Sequence, residues 1–269
     1  MTVPPMAFVG CGRIARAMVS GLLRAGRPAA TLVGVSRTGA GARALSEEFG
    51  IRAAADPADA VRGAGVVVLA VHPHETADAL ARLAGLVGGD QLLLSLVASW
   101  RTEAVAAALP GVPVVRAVPN VAVALGAGAT VLSPGPGADG AWLDLARQVC
   151  APLGDVTLVE EARLETVSAL SGAGPALVSA FAQALTEAAV AQGLAPHTAA
   201  ALAAQAVAGT GALLAAPGAT PASVMDAVAS PGGMTQAALN TLDELGLSQT
   251  AAHALESAVH VSLARMATA

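Results

Sequence analysis

The sequence contains no lysine and no tyrosine, and aromatic residues make up only 2% of its 269 positions. The missing lysine excludes both the phosphate-binding lysine of a P-loop and the Schiff-base lysine of a pyridoxal-phosphate enzyme. Dehydrogenases that use a tyrosine or a lysine as proton donor are excluded as well. All 14 basic residues are therefore arginines, and any chemistry must proceed without these two side chains.

Positive charge is scarce overall. The net charge is −5, which is not the basic balance of a nucleic-acid-binding protein. Residues 1–150 carry 12 arginines and 10 acidic residues (+2), whereas residues 151–269 carry 2 arginines and 9 acidic residues (−7). We therefore expect an anionic ligand on the N-terminal part, unless backbone groups bind it elsewhere.

Cysteines and long apolar runs are also few. Cys11 and Cys150 cannot form a disulfide framework and indicate buried thiols in a reducing compartment. The start of the sequence has no charged n-region and no long apolar stretch ahead of the first strand, so we expect no secretory leader. The apolar run at 199–216, which contains Gln205 and Thr210, is more typical of a buried helix than of a membrane span. The five histidines do not cluster as metal ligands do. We expect a cytoplasmic protein that binds no metal, membrane or nucleic acid.

Short apolar segments alternate with helix-length segments over the first 160 residues. The strand candidates lie at 7–9, 31–35, 66–71, 91–95, 114–118, 129–132 and 156–159. The uninterrupted apolar run at 66–71 is typical of a central parallel strand that is covered on both faces. This alternation predicts an α/β fold, with a Rossmann-type doubly wound sheet over residues 1–159 that binds a dinucleotide.

The pattern changes after residue 160. Long alanine- and leucine-rich segments follow at 176–192, 198–216, 234–245 and 249–267. They are apolar nearly all round, and such helices are usually buried on several sides. A domain of about 110 residues cannot bury them all within itself. We therefore predict that residues 160–269 form an all-helical dimerisation and substrate domain, through which two copies intertwine as a homodimer.

A glycine-rich loop follows the first strand and opens a helix. Residues 10–15 read Gly-Cys-Gly-Arg-Ile-Ala, a G-x-G-x-x-A pattern. The first glycine permits the turn, the second lets the backbone approach a pyrophosphate, and the small third residue lets helix pack on strand. A glycine-rich turn without a cofactor is the alternative. The position within a β-α-β unit favours dinucleotide binding.

The end of the second strand indicates which dinucleotide binds. Residues 35–38 read Val-Ser-Arg-Thr, with no carboxylate to bind a ribose 2′-hydroxyl. Arg37 can pair with a 2′-phosphate through two nitrogens and lie flat on adenine, while the hydroxyls of Ser36 and Thr38 add donors. We predict NADP as cofactor, with NADPH preferred over NADH. The alternative is that Arg37 is a solvated loop charge.

A second informative motif precedes a C-terminal helix. Residues 230–235 read Ser-Pro-Gly-Gly-Met-Thr, which predicts Ser230 as the N-cap and a proline near the first helical position. The glycines leave the first N–H groups open, so that with the helix dipole a carboxylate or phosphate can bind without a cation. The hydroxyl of Thr235 would lie near that anion. A plain capped helix is the alternative.

Two further motifs contain small or polar residues at element ends. Residues 171–175, Ser-Gly-Ala-Gly-Pro, precede a long helix and indicate either a close helix crossing or a second lining of the site. Residues 116–120, Arg-Ala-Val-Pro-Asn, end a core strand at the edge where open α/β sheets bind ligands.

The order of these motifs resembles that of the pyrroline-5-carboxylate reductases over nearly the whole chain. The resemblance is carried by residues 10–15, Ala-Val-His-Pro at 70–73, and the motifs at 116–120, 171–175 and 230–235. It implies NAD(P)H-dependent reduction of Δ1-pyrroline-5-carboxylate to L-proline, the last step of proline synthesis, by a homodimer that is sometimes built into larger rings. A reductase of a related cyclic imine and a non-catalytic NADP-binding sensor are the alternatives.

The resemblance also implies roles for individual residues. The contacts at the pyrophosphate and 2′ end would be Val9, Gly10, Cys11, Gly12, Arg13, Ile14, Ser36 and Arg37. The contacts nearer the ribose and nicotinamide would be Ala70, Val71, His72, Pro73, Leu96, Val97, Ala98 and Asn120. The substrate and its carboxylate would contact Glu161, Ser230, Gly232, Gly233, Met234 and Thr235. Thr235, beside the imine nitrogen, would be the catalytic residue.

Several positions depart from the family pattern. His72 replaces the usual lysine, and Ala173 replaces the second serine of the SGSGP motif. The other departures are Leu177 for a tyrosine, Ser99 for a glycine, and Ala227 and Pro57 for amide side chains. Because the lysine normally lies beside the cofactor, its loss affects coenzyme affinity or preference more than the reaction. The change at Ala227 bears on how the substrate ring is held.

Overall fold

A computed structural model of the chain describes residues 3–266, with side chains described for residues 3–264. Eight strands form one sheet in the order β3-β2-β1-β4-β5-β6-β7-β8. The strands are β1 (Met6–Val9), β2 (Leu32–Val35), β3 (Arg52–Ala53), β4 (Val66–Leu69), β5 (Leu92–Ser95), β6 (Val114–Pro119), β7 (Gly128–Pro134) and β8 (Gly154–Leu158). The six strands β1 to β6 are mutually parallel.

Helices connect most of these strands and make up the C-terminal part. Those associated with the sheet are α1 (Arg13–Arg24), α2 (Ala40–Phe49), α3 (Pro57–Val61), α4 (Thr76–Leu83), α5 (Thr102–Ala108), α6 (Ala141–Cys150) and α7 (Leu164–Val167). Those that follow are α8 (Gly174–Ala191), α9 (Pro196–Leu214), α10 (Pro221–Val228), α11 (Met234–Glu244) and α12 (Leu247–Met266). The predicted α/β sheet followed by helices is confirmed.

The core lies on both faces of the sheet. In β4, Val66 and Val68 pack in one cluster together with Phe8 of β1. Val67 and Leu69 of the same strand pack in a second cluster. Because successive side chains of a strand point to opposite faces, β4 is covered from both sides, as its uninterrupted apolar run predicts.

Two strands, β7 and β8, run opposite to the expected direction. The sequence predicts a run of β-α-β units, but β7 pairs with β6 in antiparallel orientation. Residues 120–127 connect the two strands, and their only regular element is a short 3-10 turn at Val121–Leu125. A parallel crossover needs a dozen or more residues, so this connection is too short to return the chain to the starting edge. Helix α6 then provides a crossover, and β8 is parallel to β7.

Two elements lie where the sequence analysis predicts none. Strand β3 has two residues, which is too short for a detectable period. Helix α10 carries clear local signals in the sequence, since Thr220 and Ser223 form a reciprocal capping box and Pro221 occupies the first turn.

The chain divides into two compact units. The first contains the sheet and the chain up to Ala173, together with the chain from Ala258 onward, and the second is Gly174–Ser257. The division does not coincide with the predicted domain boundary between residues 159 and 160, which stays a prediction. Glu165 explains why α7 belongs with the sheet, since its carboxylate binds Arg116 of β6.

The second unit leaves much of its apolar surface exposed in the single chain. Helix α8 presents an exposed stripe made of Leu177, Val178, Phe181 and Leu185. Met234 is 90% exposed and Leu245 is 78% exposed. Exposed apolar surface on this scale is typical of a region that contacts a protein partner, a membrane or a ligand. Within the described residues, no helix has the length and apolar character needed to cross a membrane.

Candidate functional site

A cleft of about 560 Å³ opens at the carboxyl ends of β1, β2 and β4. The strand order reverses between β1 and β4, and open α/β sheets bind ligands at such a point. The cleft is lined by Val9, Gly10, Cys11, Gly12, Arg13, Ile14, Val35, Ser36, Arg37, Thr38, Gly41, Pro57, Ala70, Val71, His72, Glu75, Asp78, Ala79, Arg82 and Val121. Most of the predicted cofactor contacts therefore lie around one cavity.

The glycine loop has the geometry that its pattern predicts. Gly10 adopts φ +95°, and a Cβ there would lie 2.5 Å from the carbonyl oxygen of Ala70. Nothing lies within 4 Å of the Cβ position of Gly12, which is the N-cap of α1 and offers no side-chain cap. The first N–H groups of α1 are therefore open toward the cleft, where an anion is favoured. Gly10 is therefore required by packing, whereas no protein atom restricts the Gly12 position, and the role of Gly12 in ligand approach stays a prediction.

The thiol of Cys11 is not activated as a nucleophile. Its Sγ lies 3.5 Å from the carbonyl oxygen of Val35, and burial raises the pKa of the Cys11 thiol to about 11. Cys150 is fully buried, and burial raises its pKa to about 12. The prediction of buried thiols holds for Cys150, whereas Cys11 is half-buried because it belongs to the rim of the cleft.

The predicted 2′ end of the cleft holds an ion pair. Nε of Arg37 donates a hydrogen bond of 3.1 Å to Oε1 of Glu75, on the turn after β4. Arg37 is therefore not simply solvated, although its side chain is 68% exposed. The oxygen of the Ser36 hydroxyl accepts a hydrogen bond from the N–H of Ala42, so its own proton is directed elsewhere.

Glu75 is ionised more readily than an ordinary glutamate. Desolvation by burial raises its pKa, but the hydrogen bond from Arg37 lowers it, as do the backbone of His72 and the charges of Arg37 and His74. The net effect is a lowered pKa. The sequence analysis did not predict Glu75 as a site residue. Its position shortly after β4, a strand that ends at the cleft, was the one local indication of such a role.

The loops that follow β4 and β5 are joined. The rings of His72 and His74 are stacked, with centroids 5.7 Å apart and planes at 10°. Nε1 of Trp100 donates to the carbonyl oxygen of Pro73 over 3.2 Å. His72, in place of the family's lysine, is thus part of a braced wall of the cleft.

Five predicted cofactor contacts do not line the cleft, namely Pro73, Leu96, Val97, Ala98 and Asn120. The side chain of Val97 is buried in the core, so only its backbone is available to a ligand. Oδ1 of Asn120 accepts a hydrogen bond from the N–H of Ala122 and caps the turn before β7. The cofactor role of these five residues stays a prediction.

Ser99 adopts an unusual backbone conformation. Its φ of +70° is the only positive value among the non-glycine residues that the structure describes. The side chain is buried, and its Oγ finds no hydrogen-bond partner among the described residues. Ser99 therefore has the backbone conformation that glycine adopts most easily, which fits the family pattern that has glycine at this position.

Glu161, a predicted substrate contact, has its carboxylate bound within the first unit. Oε1 accepts a hydrogen bond from the N–H of Thr102, and Oε2 accepts one from the hydroxyl of Thr102, both over 2.7 Å. Nη1 of Arg116 lies 3.6 Å from Oε1. These contacts account for the acidic side chain structurally, and its role toward a substrate stays a prediction.

The place of Arg116 in the motif 116–120 predicts that its side chain projects to the ligand-binding edge of the sheet. The structure shows that it does not. Its side chain is 1% exposed, and Nη2 donates to Oε1 of Glu165 over 2.8 Å. The hydroxyl of Ser262, near the end of α12, also donates to Glu165. Arg116 faces inward toward the buried carboxylate of Glu165 and the partly buried carboxylate of Glu161, so it belongs to an internal charge network.

The turn before α11 differs from the predicted cap. Gly233, not Ser230, is the N-cap, and it offers no side-chain cap. The N–H of Gly233 donates to the carbonyl oxygen of Ser230 over 2.9 Å, and Gly232 has φ +74°. Pro231 and Gly232 therefore occupy the centre of a tight turn that ends before the helix begins. The N–H groups of the first turn, including that of Thr235, remain uncapped and open to an anion.

The cleft, its glycine loop and the open start of α1 define a dinucleotide-binding protein of the Rossmann type. Residues 161–264 match the family model described as pyrroline-5-carboxylate reductase dimerisation, and residues 5–99 match the model described as NADP oxidoreductase coenzyme F420-dependent. The pyrroline-5-carboxylate reductase of Mycobacterium leprae is 37% identical to this chain over 94% of both proteins. The chain therefore belongs to the pyrroline-5-carboxylate reductase family.

Solved structures of similar proteins agree with this assignment. A pyrroline-5-carboxylate reductase from Coxiella burnetii has a TM-score of 0.90 and 29% identity, covering 98% of this chain and 99% of that one. The Plasmodium falciparum pyrroline carboxylate reductase, solved with NADP bound, has a TM-score of 0.87 and 20% identity, covering 99% of each chain. The latter likeness shows the fold.

Proposed function

We propose that this protein reduces Δ1-pyrroline-5-carboxylate to L-proline, the last step of proline synthesis, with NADPH as the hydride donor. Two features of this chain, a member of the family, together carry the proposal. One is the cleft where the strand order of the sheet reverses, and the other is the uncapped start of helix α11. The first accepts a dinucleotide, and the second accepts a carboxylate without a cation.

NADPH fits the residues that line the cleft. A volume of about 560 Å³ lies within the usual range of cofactor sites. The open N–H groups after Gly12 would hold the pyrophosphate, and Arg37 would hold the 2′-phosphate. When bound there, NADPH supplies a hydride to the imine carbon of the substrate. The braced wall at His72 would limit water at the neighbouring part of the cleft.

The turn at residues 230–235 would hold and orient the substrate. Its carboxylate would be bound by the uncapped N–H groups at the start of α11 and by the positive end of the helix dipole. The hydroxyl oxygen of Thr235 would accept a hydrogen bond from the protonated ring nitrogen of the substrate. A threonine hydroxyl is a weak acid, so we propose that it positions a substrate that arrives protonated. Orientation of this kind contributes on the order of 7–11 kcal/mol in well-aligned reactions.

We further propose a cytoplasmic homodimer formed through the C-terminal helices, with a ring of dimers as the higher assembly. The exposed stripe on α8 and the exposed Met234 and Leu245 support a partner subunit. Two free thiols fit a reducing compartment. Light scattering of the purified protein would give the mass of the assembly, and a monomer at micromolar concentration would contradict this part of the proposal.

Substitution at Thr235 tests the reaction. Purified protein is mixed with NADPH and Δ1-pyrroline-5-carboxylate, and the loss of NADPH absorbance is followed. Thr235→Ala should lower kcat about 100-fold, the usual effect of removing one hydrogen-bond partner of a reacting group, and should leave the Kd of NADPH unchanged. Thr235→Ser, which retains the hydroxyl, is the matched control and should keep most of the turnover.

The same assay separates the alternatives. A six-membered cyclic imino acid should turn over more slowly than the five-membered substrate; the reverse order would support a reductase of a related imine, which the departure at Ala227 suggests. No oxidation of NADPH with any cyclic imine, while NADPH still binds, would support the sensor. Unchanged rates in Thr235→Ala would remove Thr235 from the mechanism.

A further inference from the structure

Two residues of opposite charge meet across one end of the cleft. Arg37 lies on the loop after β2, and Glu75 ends a 3-10 turn that follows β4. The contact uses Nε of Arg37, and both side chains line the same cavity. Among the described residues, Arg37 makes no further side-chain hydrogen bond or ion pair. Its two terminal nitrogens are therefore available to a second anion.

The two partners differ in how firmly they are held. The side chain of Glu75 is 29% exposed and that of Arg37 is 68% exposed. The N–H of Glu75 donates to the carbonyl oxygen of His72 over 2.9 Å, which fixes the backbone under the carboxylate. Glu75 is thus an anchored negative charge, and Arg37 is a long arm that has room to move away from it.

We propose that Glu75 determines how strongly the protein distinguishes NADPH from NADH, by competing with the 2′-phosphate for Arg37. This inference rests on the proposed function, because it assigns the 2′ end of the coenzyme to this end of the cleft. Glu75 acts through Arg37 and is therefore a positioning residue.

The charges explain the direction of the effect. With NADH, the 2′-position carries a neutral hydroxyl, so the pair between Arg37 and Glu75 stays intact and no guanidinium loses its counter-ion. With NADPH, a phosphate of nearly two negative charges must draw the guanidinium of Arg37 away from Glu75, and the attraction between Arg37 and the anchored carboxylate opposes that movement. Glu75 therefore weakens NADPH binding and leaves NADH binding nearly unchanged. Arg13, Arg82 and Asp78 also line the cleft and contribute to its potential.

Glu75→Gln tests the proposal, because glutamine keeps the shape of the side chain and an acceptor for Arg37 while it removes the charge. The Kd values of NADPH and NADH are measured by fluorescence titration, without substrate. We expect the Kd of NADPH to fall about threefold, the scale of an exposed ion pair, and that of NADH to change less than about 1.5-fold. The fragment 2′,5′-ADP should gain the same factor.

Two further variants test whether the effect passes through Arg37. Asp78→Asn removes the same charge from the same cleft, and should shift the ratio of the two Kd values less than Glu75→Gln does. In an Arg37→Gln background, Glu75→Gln should change the ratio by a smaller factor than in the wild type. An equal effect of Asp78→Asn, or an undiminished effect without Arg37, would overturn the proposal in favour of a general cleft potential.

The outcomes also separate this inference from the proposed function. If the wild-type protein binds neither coenzyme, the proposed function fails. If it binds both, and Glu75→Gln leaves the ratio unchanged or weakens NADPH, the inference alone fails. Weaker NADPH binding would mean that Glu75 helps to present Arg37 to the phosphate.

Discussion

Replacing Arg116 with methionine should destabilise the protein far more than replacing an exposed arginine. The side chain is 1% exposed and lies between two carboxylates. Nη2 lies 2.8 Å from Oε1 of Glu165, and Nη1 lies 3.6 Å from Oε1 of Glu161. Methionine fills a similar volume but leaves both carboxylates without their counter-ion.

The two carboxylates lose different shares of their stabilising contacts. Glu161 keeps two hydrogen bonds from Thr102, whereas Glu165 keeps only that of Ser262 among the described residues. Removal of one partner of a buried pair costs about 3–5 kcal/mol, because a desolvated charge is left behind. We therefore expect Arg116→Met to lower the free energy of unfolding by about 3–4 kcal/mol. The double variant with Glu165→Leu should recover most of this loss, since apolar pairs replace buried ion pairs at little cost.

Urea unfolding at one fixed protein concentration measures these differences, because dimer stability depends on concentration. Arg52→Met is the matched control. Arg52 pairs with Asp59 at 2.8 Å, but the two side chains are 45% and 36% exposed. That substitution should cost less than about 1 kcal/mol. A loss for Arg116→Met no larger than that of the control, or a double variant as unstable as the single one, would refute the reasoning.

Three further predictions concern the cleft and its surroundings. Gly10→Ala places a Cβ 2.5 Å from the carbonyl oxygen of Ala70, so NADPH should bind at least about tenfold more weakly in a titration, and unchanged binding would contradict the packing argument. Ser99→Gly relieves the strain at φ +70° and removes a buried unpartnered hydroxyl. The thermal midpoint should rise by about 2–4 °C, and a fall would show that the hydroxyl is satisfied. Cys11 has a pKa of about 11 in the folded state, above its ordinary value, so its contribution to stability is complete below that ordinary value and is lost as the pH rises toward 11. Iodoacetamide should accordingly label Cys11 slowly near about pH 8 and faster with each higher pH step; rapid labelling near about pH 8 would contradict the burial of the thiol.

Local patterns predicted the parts of the fold that depend on neighbours in sequence. The glycine loop, the central strand β4 and the long C-terminal helices each follow from spacing within about 20 residues. The turn at 230–235 also carried a readable signal, because proline followed by glycine is typical of a tight turn that ends before the helix. The N-cap at Ser230 was wrong because the turn and the helix are consecutive and do not overlap.

Contacts between distant residues were not predictable in the same way. Glu75 meets Arg37 across 38 positions, and Glu165 meets Arg116 across 49. The spacing of apolar residues along the chain does not predict such pairs. They follow from the strand order, which places the ends of β2 and β4 at one edge of the sheet. The reversal of β7 depended on the length of one connection, which the strand pattern alone does not weigh.

The hydrogen bond from Ser262 to Glu165 has a consequence for synthesis. The first unit is interrupted in sequence, since Gly174–Ser257 lies between its two pieces. During translation, the whole of Gly174–Ser257 must be synthesised before Ser262 is available to Glu165. A nascent chain that stops before Ala258 therefore has a sheet whose buried carboxylate lacks this donor. One hydrogen bond of the first unit therefore forms only after the second unit has been synthesised.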